Sequence, residues 1–283
     1  MKKFSTVFAI SRQNIRKWTS NYRVWMIAII LIIFIHSYTK EISLFAEELN
    51  MKMSAWIFPF LYSERYMKLL FLFPIVLLFC DAPFIDSNQP YIILRSKRTA
   101  WSLGQILYIV FANIIYFLFL IVATIGIHIR NITFENDWGK VFGTLATTDA
   151  SDFINTPLKI NSNIIKYFSP FQAMWFTFLL SCLSGIMLGL IIYACNSLFK
   201  NRLWGIALSS SLLILSAALN LNPELQWLSP MSWNTLNNVD IGGTTNFPSF
   251  EYIIIADFVI ITILSIISVI ANRKQEIYVL QQD

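Results

Sequence analysis

Cys80 to Gln105 reads CDAPFIDSNQPYIILRSKRTAWSLGQ and separates two long apolar runs. It carries the acids Asp81 and Asp86, two prolines, the basic cluster Arg95, Lys97 and Arg98, and Trp101 where the next apolar run opens. A connection that only reversed the chain would need a few polar residues. This one has room for a short helix pair lying along a membrane. The runs on either side therefore read as membrane spans, and the stretch itself as a surface that another protein contacts.

The composition agrees. Of 283 residues, 56% are hydrophobic and 13% charged, with 24 Phe, against about 25% charged in a soluble domain. The apolar runs are continuous and near the 20 residues that an α-helix needs to cross a bilayer, unlike the short alternating segments of a barrel. The expected class is an all-α membrane protein. The formal charge of +5 does not point to nucleic acid, because the basic residues lie beside apolar runs. Cys80, Cys182 and Cys195 fall in or at the edge of apolar segments, which gives no disulfide framework.

Working outward, residues 1–23 place Phe4, Val7, Phe8, Ser11, Ile15, Trp18 and Tyr22 on one helical stripe, with Arg12, Arg16 and Lys17 off it and no acid. That pattern predicts an amphipathic helix in the headgroup region, or a basic flank that fixes topology. Residues 24–283 read as one six-helix transmembrane domain with spans near 24–38, 66–84, 104–128, 171–195, 203–219 and 252–271. Lys68 is placed to snorkel outward from span 2. Residues 129–169 are a long charge-balanced polar segment, either a small lid or disordered. With the N-terminus inside, 13 of the 21 Lys and Arg flank the cytoplasmic ends of the spans. This predicts a multi-pass plasma-membrane protein with both termini cytoplasmic.

Catalytic motifs are absent. No Gly-x-x-x-x-Gly-Lys-Ser/Thr loop occurs, the two His are far apart, and no Cys pair has metal-ligand spacing. No metal and no cofactor of its own are expected, and the chain does not read as an enzyme. Glu47-Glu48 with Lys52 has the spacing of one intramembrane protease motif, but ends in Lys and lacks the His motifs that family requires. Two intramembrane features remain. Asp257 lies about two turns into span 6, where a carboxylate costs about 2.5–3.5 kcal/mol on insertion scales. It reads either as a substrate-pathway or switch residue or as a near-interface Asp bonding a neighbouring helix. Ser181, Gly185 and Gly189 sit at i, i+4, i+8 on span 4, a spacing for close helix packing within the subunit or between subunits.

The chain resembles the permease subunits of ABC-2 type exporters of low-GC Gram-positive bacteria. The resemblance rests on Asp86–Gln105, on the Ser-Leu-Phe-Lys-Asn-Arg hairpin at Ser197–Arg202, on Leu-Ser-Pro-Met-Ser-Trp at Leu228–Trp233 and on the Asn-Arg-Lys run at Asn272–Lys274. It implies a second permease subunit, in a homodimer or heterodimer, and a separate ATP-binding subunit that carries the ATP and Mg. It also implies that the segment between spans 2 and 3 is a coupling helix. Tyr91, Ile92, Ile93 and Leu94 would then enter a groove of the ATPase, while Asp86, Arg95, Lys97 and Arg98 supply the charges. The expected function is export of a hydrophobic or amphipathic substrate, a peptide or antimicrobial being the guess. The alternatives are an ion-coupled secondary transporter using Asp257, or a non-transporting immunity or anchor protein.

Overall fold

The computed structural model describes residues 2–84, 89–148, 150–199, 201–219, 227, 229–240 and 246–273. Asp86, Lys200, Leu228 and Lys274, named above, lie outside the described residues.

The chain is mostly helical. It opens with α1 (Lys2–Arg16) and a 3-10 turn at Lys17–Ser20, followed by α2 (Tyr22–Glu48). The Asn21 side chain caps α2 by accepting from the Arg23 amide at 3.0 Å. A two-residue strand β1 (Met53–Ser54) leads to α3 (Phe58–Ser63) and α4 (Arg65–Phe79), whose first turn is capped by Glu64 on the Met67 amide at 2.7 Å. Then come α5 (Gln89–Ser96) and α6 (Arg98–Ile127). Strand β2 (Ile132–Thr133) pairs parallel with β1. The short helices α7 (Gly139–Thr147), α8 (Ala150–Phe153) and α9 (Ser162–Tyr167) follow. The chain continues through α10 (Pro170–Phe199), α11 (Arg202–Leu219), α12 (Pro230–Trp233) and α13 (Phe250–Arg273).

Helices α2, α4, α6, α10, α11 and α13 overlap the six expected segments and run alternately between two ends of a bundle, but α4 ends at Phe79, short of the expected 84. Four of them, α2, α6, α10 and α13, are long and apolar enough to cross a membrane. The first is far longer than the 24–38 read from hydropathy, because the helix continues through polar Thr39–Glu48 without a breaker. Helix α10 is the axis. It is apolar all round and buried on nearly every face from Leu180 to Ala194, against α4, α6, α11 and α13, as expected of a helix without a polar side. A Cβ on Gly185 would stand 2.0 Å from Asn113 Oδ1, and one on Gly189 would stand 2.7 Å from Ile109 Cγ2. The glycine pattern thus sets the approach of α10 to α6 within the chain.

The two ends differ. At the terminal end, where α1 and the last turn of α13 sit, α1 crosses the first half of α6. Ile10 presses on Gly104, Asn14 Nδ2 donates to Gln105 Oε1 at 2.8 Å, and Trp18 Nε1 donates to Tyr108 OH at 2.7 Å. The opposite end carries a cap: residues 129–148 and 150–169 are folded, with Trp138 and Phe142 of the cap tilted against Phe60 of α3 at 4.9 and 5.5 Å between ring centroids. Of the two readings of that segment, the ordered one describes it.

Candidate functional site

The charged residues inside the bundle converge at the cap end. Lys68, one turn into α4, is 4% exposed, and its ammonium donates to the carbonyl of Met231. It also lies 5.8 Å over the Tyr62 ring. It does not reach outward as snorkelling requires: α12 and its flanks fold into the bundle and cover it. Residues Ser229–Leu236 are nearly all buried. Irregular backbone at such depth needs protein partners for its polar groups, and Lys68 supplies one of them. Ser232 Oγ supplies another contact by donating to the Ser216 carbonyl of α11 at 3.2 Å.

Asp257 enters the same place from α13 and is fully buried. The polar groups acting on its carboxyl are Asn234, Trp233 and Lys68, yet neither carboxyl oxygen closes a hydrogen bond of ordinary geometry. The Trp233 indole nitrogen, both amide atoms of Asn234 and the Tyr62 hydroxyl are likewise buried without a partner of good geometry. A buried carboxyl group, a buried lysine and several misaligned dipoles thus share one buried region. Burying charge in this way is costly unless pairing is complete. Small displacements of α12 or α13 would decide which donors reach the carboxyl, so the site can respond to a proton, a cation or a polar ligand. Asp257 was visible in the sequence. Lys68 was visible but assigned outward, and Tyr62, Trp233 and Asn234 were missed. The usable signal was that an acid and a base inside apolar runs, both near the same end, tend to meet.

The other expected site residues are placed as follows. In α5 the Tyr91, Ile92, Ile93, Leu94 run does not form one face: Ile93 is buried against Ile10 and Trp101, Ile92 packs beside it, and Tyr91 and Leu94 are exposed. Arg95 and Lys97 are exposed. Arg98 instead donates to the Arg273 carbonyl at 2.7 Å, tying α6 to the last turn of α13. In α1, Phe4, Phe8, Arg12 and Arg16 are exposed, whereas Ile10, Ser11 and Asn14 are buried. The buried face is rotated from the sequence stripe because Gly104 leaves room for Ile10. Ser181, like the two glycines, is buried in the bundle. His36 and His128 stack with centroids 6.4 Å apart, which their separation in sequence hid. Among the described residues no cluster of three or more metal-ligating side chains occurs.

Comparison with protein-family models, with curated proteins and with solved structures returned no match.

Proposed function

We propose that the chain is the membrane permease subunit of an ATP-driven exporter of the ABC-2 kind its sequence resembles. In this reading α4 and α11 also cross, giving six spans in the plasma membrane, and the terminal end faces the cytoplasm. Two permease subunits pair, and each takes up a separate ATPase at α5. The observation that carries the reading is the build of α5. It is a short helix with one face seated on α1 and α6 through Ile93, and with Tyr91, Leu94 and Arg95 left outward. It joins α6 through the single residue Lys97, at φ +68°, a conformation that costs a non-glycine residue about 1–3 kcal/mol. A push on α5 therefore passes into α6 without slack. Tyr91 and Leu94 offer an apolar contact and Arg95 and Lys97 a cationic one, the combination that gives an interface both affinity and register.

The cargo in this reading is hydrophobic or amphipathic, a peptide or an antimicrobial. The test is co-purification with an ATPase encoded beside it, followed by ATP hydrolysis in proteoliposomes. Arg95→Glu with Lys97→Glu should abolish stimulation by the permease while leaving insertion intact. A purified chain that transports with no ATPase present overturns the proposal.

A second reading is supported by the buried Lys68–Asp257 centre: ion-coupled transport with Asp257 as the titrating group. Uptake or efflux that follows an imposed proton gradient and stops in Asp257→Asn would replace the first reading with this one.

A further inference from the structure

At the cap end, a cavity of about 560 Å³ opens where separate parts of the chain meet, within the range of ordinary small-ligand pockets, about 300–1,000 Å³. Tyr38 comes from α2, and Glu64 and Tyr66 come from the corner between α3 and α4. Lys159 and Asn161 come from the segment leading into α9, and Asn237 from a 3-10 turn at Leu236–Asn238. Two of these parts are joined in the wall itself, where Asn161 Nδ2 donates to Asn237 Oδ1 at 2.9 Å.

The wall is chemically unlike the bundle around it. Among the described lining residues there is no Leu, Ile, Val, Met or Phe, and all but Pro157 carry a polar group on the side chain. Asn161 Oδ1 accepts from the Asn163 amide at 2.8 Å, and Asn237 Oδ1 is taken by Asn161, which leaves the Asn237 amide nitrogen as a double donor. Glu64 uses Oε2 on the Met67 amide, which leaves Oε1 as an acceptor. Each tyrosine hydroxyl can both donate and accept. The described lining has one acid, Glu64, and one base, Lys159, so its charge selects neither an anion nor a cation. Tyr66 is 67% exposed, a platform rather than a packing element. An aromatic face is partly negative, so it attracts C–H groups that neighbouring oxygens have made slightly positive. A peptide with apolar side chains finds no apolar recess here. A ring with C–H faces and a rim of hydroxyls uses the tyrosines, the amide and the carboxyl together.

We infer that this cavity binds an uncharged saccharide, with Tyr66 against the C–H face of a sugar ring and with Glu64 and the Asn237 amide on its hydroxyls. A free oligosaccharide and the headgroup of a glycolipid present the same chemistry to it. The site shares no residue with α5 or with Lys68 and Asp257, and its chemistry is opposite to that of the apolar cargo proposed above. It therefore stands or falls apart from the transport reading.

The test uses the full chain purified in a polyoxyethylene detergent, which carries no sugar. Saturation-transfer NMR follows the free disaccharides maltose and diacetylchitobiose at millimolar concentration. Dodecyl maltoside mixed into the micelle is the lipid-borne arm, and glycylglycine is a zwitterion able to meet Glu64 and Lys159 together. We expect saturation on the ring C–H protons of a disaccharide, with its dissociation constant raised about tenfold in Tyr66→Ala and about fivefold in Asn237→Asp. Tyr66→Phe keeps the ring and should keep most of the affinity. Asn237→Asp keeps the oxygen that Asn161 bonds and removes both N–H donors. Tyr66 is mostly exposed, so Tyr66→Ala reads the site with the fold intact, and an unchanged unfolding midpoint checks this. If dodecyl maltoside gives a Tyr66-dependent signal and the free sugars give none, the saccharide site stands and its bearer is a glycolipid. Glycylglycine bound in place of sugar, or no sugar signal that depends on Tyr66 in any arm, overturns the proposal.

Discussion

Two buried polar clusters sit at opposite ends of the same bundle, and they are built on opposite terms. At the terminal end, Ser102 of α6 and Tyr193 of α10 share a hydrogen bond at 2.8 Å, Asn272 of α13 donates to the Tyr193 hydroxyl at 2.9 Å, and Ser197 donates to Asn272 at 3.4 Å. All members are neutral and partnered, and they join three helices. At the cap end, Lys68 and Asp257 bring charge among Tyr62, Trp233 and Asn234, and much of the hydrogen-bonding capacity there is misaligned. A closed neutral network fixes one packing. An open charged one is costly to bury, and within a membrane such groups mark function. The difference teaches which end holds still and which is built to change.

The largest expected effect is at the cap end. Asp257→Asn removes the acid whose charge acts on Lys68, and because neither carboxyl oxygen closes a hydrogen bond the loss should be about 1–3 kcal/mol. Lys68→Met alone should cost a similar amount, and the double variant less than the sum, because the two charges act on each other across the site. Thermal unfolding in detergent reads all three. Additive losses, or a loss below about 1 kcal/mol for Asp257→Asn, would mean the centre is hydrated and would end the contrast with Tyr193.

Tyr193→Phe comes next. It strips a shared partner from Ser102 and Asn272 while keeping the ring, so the loss should be about 1–2 kcal/mol. A loss equal to that of Asp257→Asn would show that charge is not what separates the two clusters.

These clusters also show what the sequence could tell. The mostly helical fold, the amphipathic start and the polar interruption after α4 follow from composition and period, and the four longest apolar helices, α2, α6, α10 and α13, are long enough to cross a membrane. The length of α2 was hidden because its polar half has no helix breaker, and hydropathy reports solvent preference rather than backbone conformation. Asp257 stood out because a lone acid in an apolar run is costly unless it meets a partner. Its partners did not, because α12 reaches it only through a buried irregular segment, a long-range contact with no periodic signature. The face of α5 was misjudged for a related reason: four adjacent side chains on a helix cannot point one way, and only the position of Ile10 decides that Ile93 turns inward.

At the terminal end Arg23 and Arg202 clasp Asp81, each at 2.8 Å, but the clasp is exposed, with side chains 43%, 61% and 42% accessible for Arg23, Arg202 and Asp81. Exposed pairs contribute about 0–1 kcal/mol and are screened by salt. Asp81→Asn should therefore shift unfolding by less than about 1 kcal/mol, and by less still at high salt. A large stability loss would recast the clasp as structural and place it beside the Tyr193 network.

The smallest stability effect belongs to the exposed half of α5, and there the contrast lies within one turn of helix. Leu94 is 80% exposed, whereas Ile93 is 8% exposed against Ile10 and Trp101. Truncating Leu94 to Ala removes little burial, so unfolding should move by no more than about 0.5 kcal/mol. Ile93→Ala, by comparison, gives up a seated side chain. Among the described residues Leu94 packs into no buried cluster. If it docks the ATPase, Leu94→Ala should weaken association with that subunit severalfold and lower stimulated hydrolysis while the fold is unchanged. If the permease–ATPase complex forms and turns over as before, the docking surface lies elsewhere, and α5 is only the corner that leads the chain into α6.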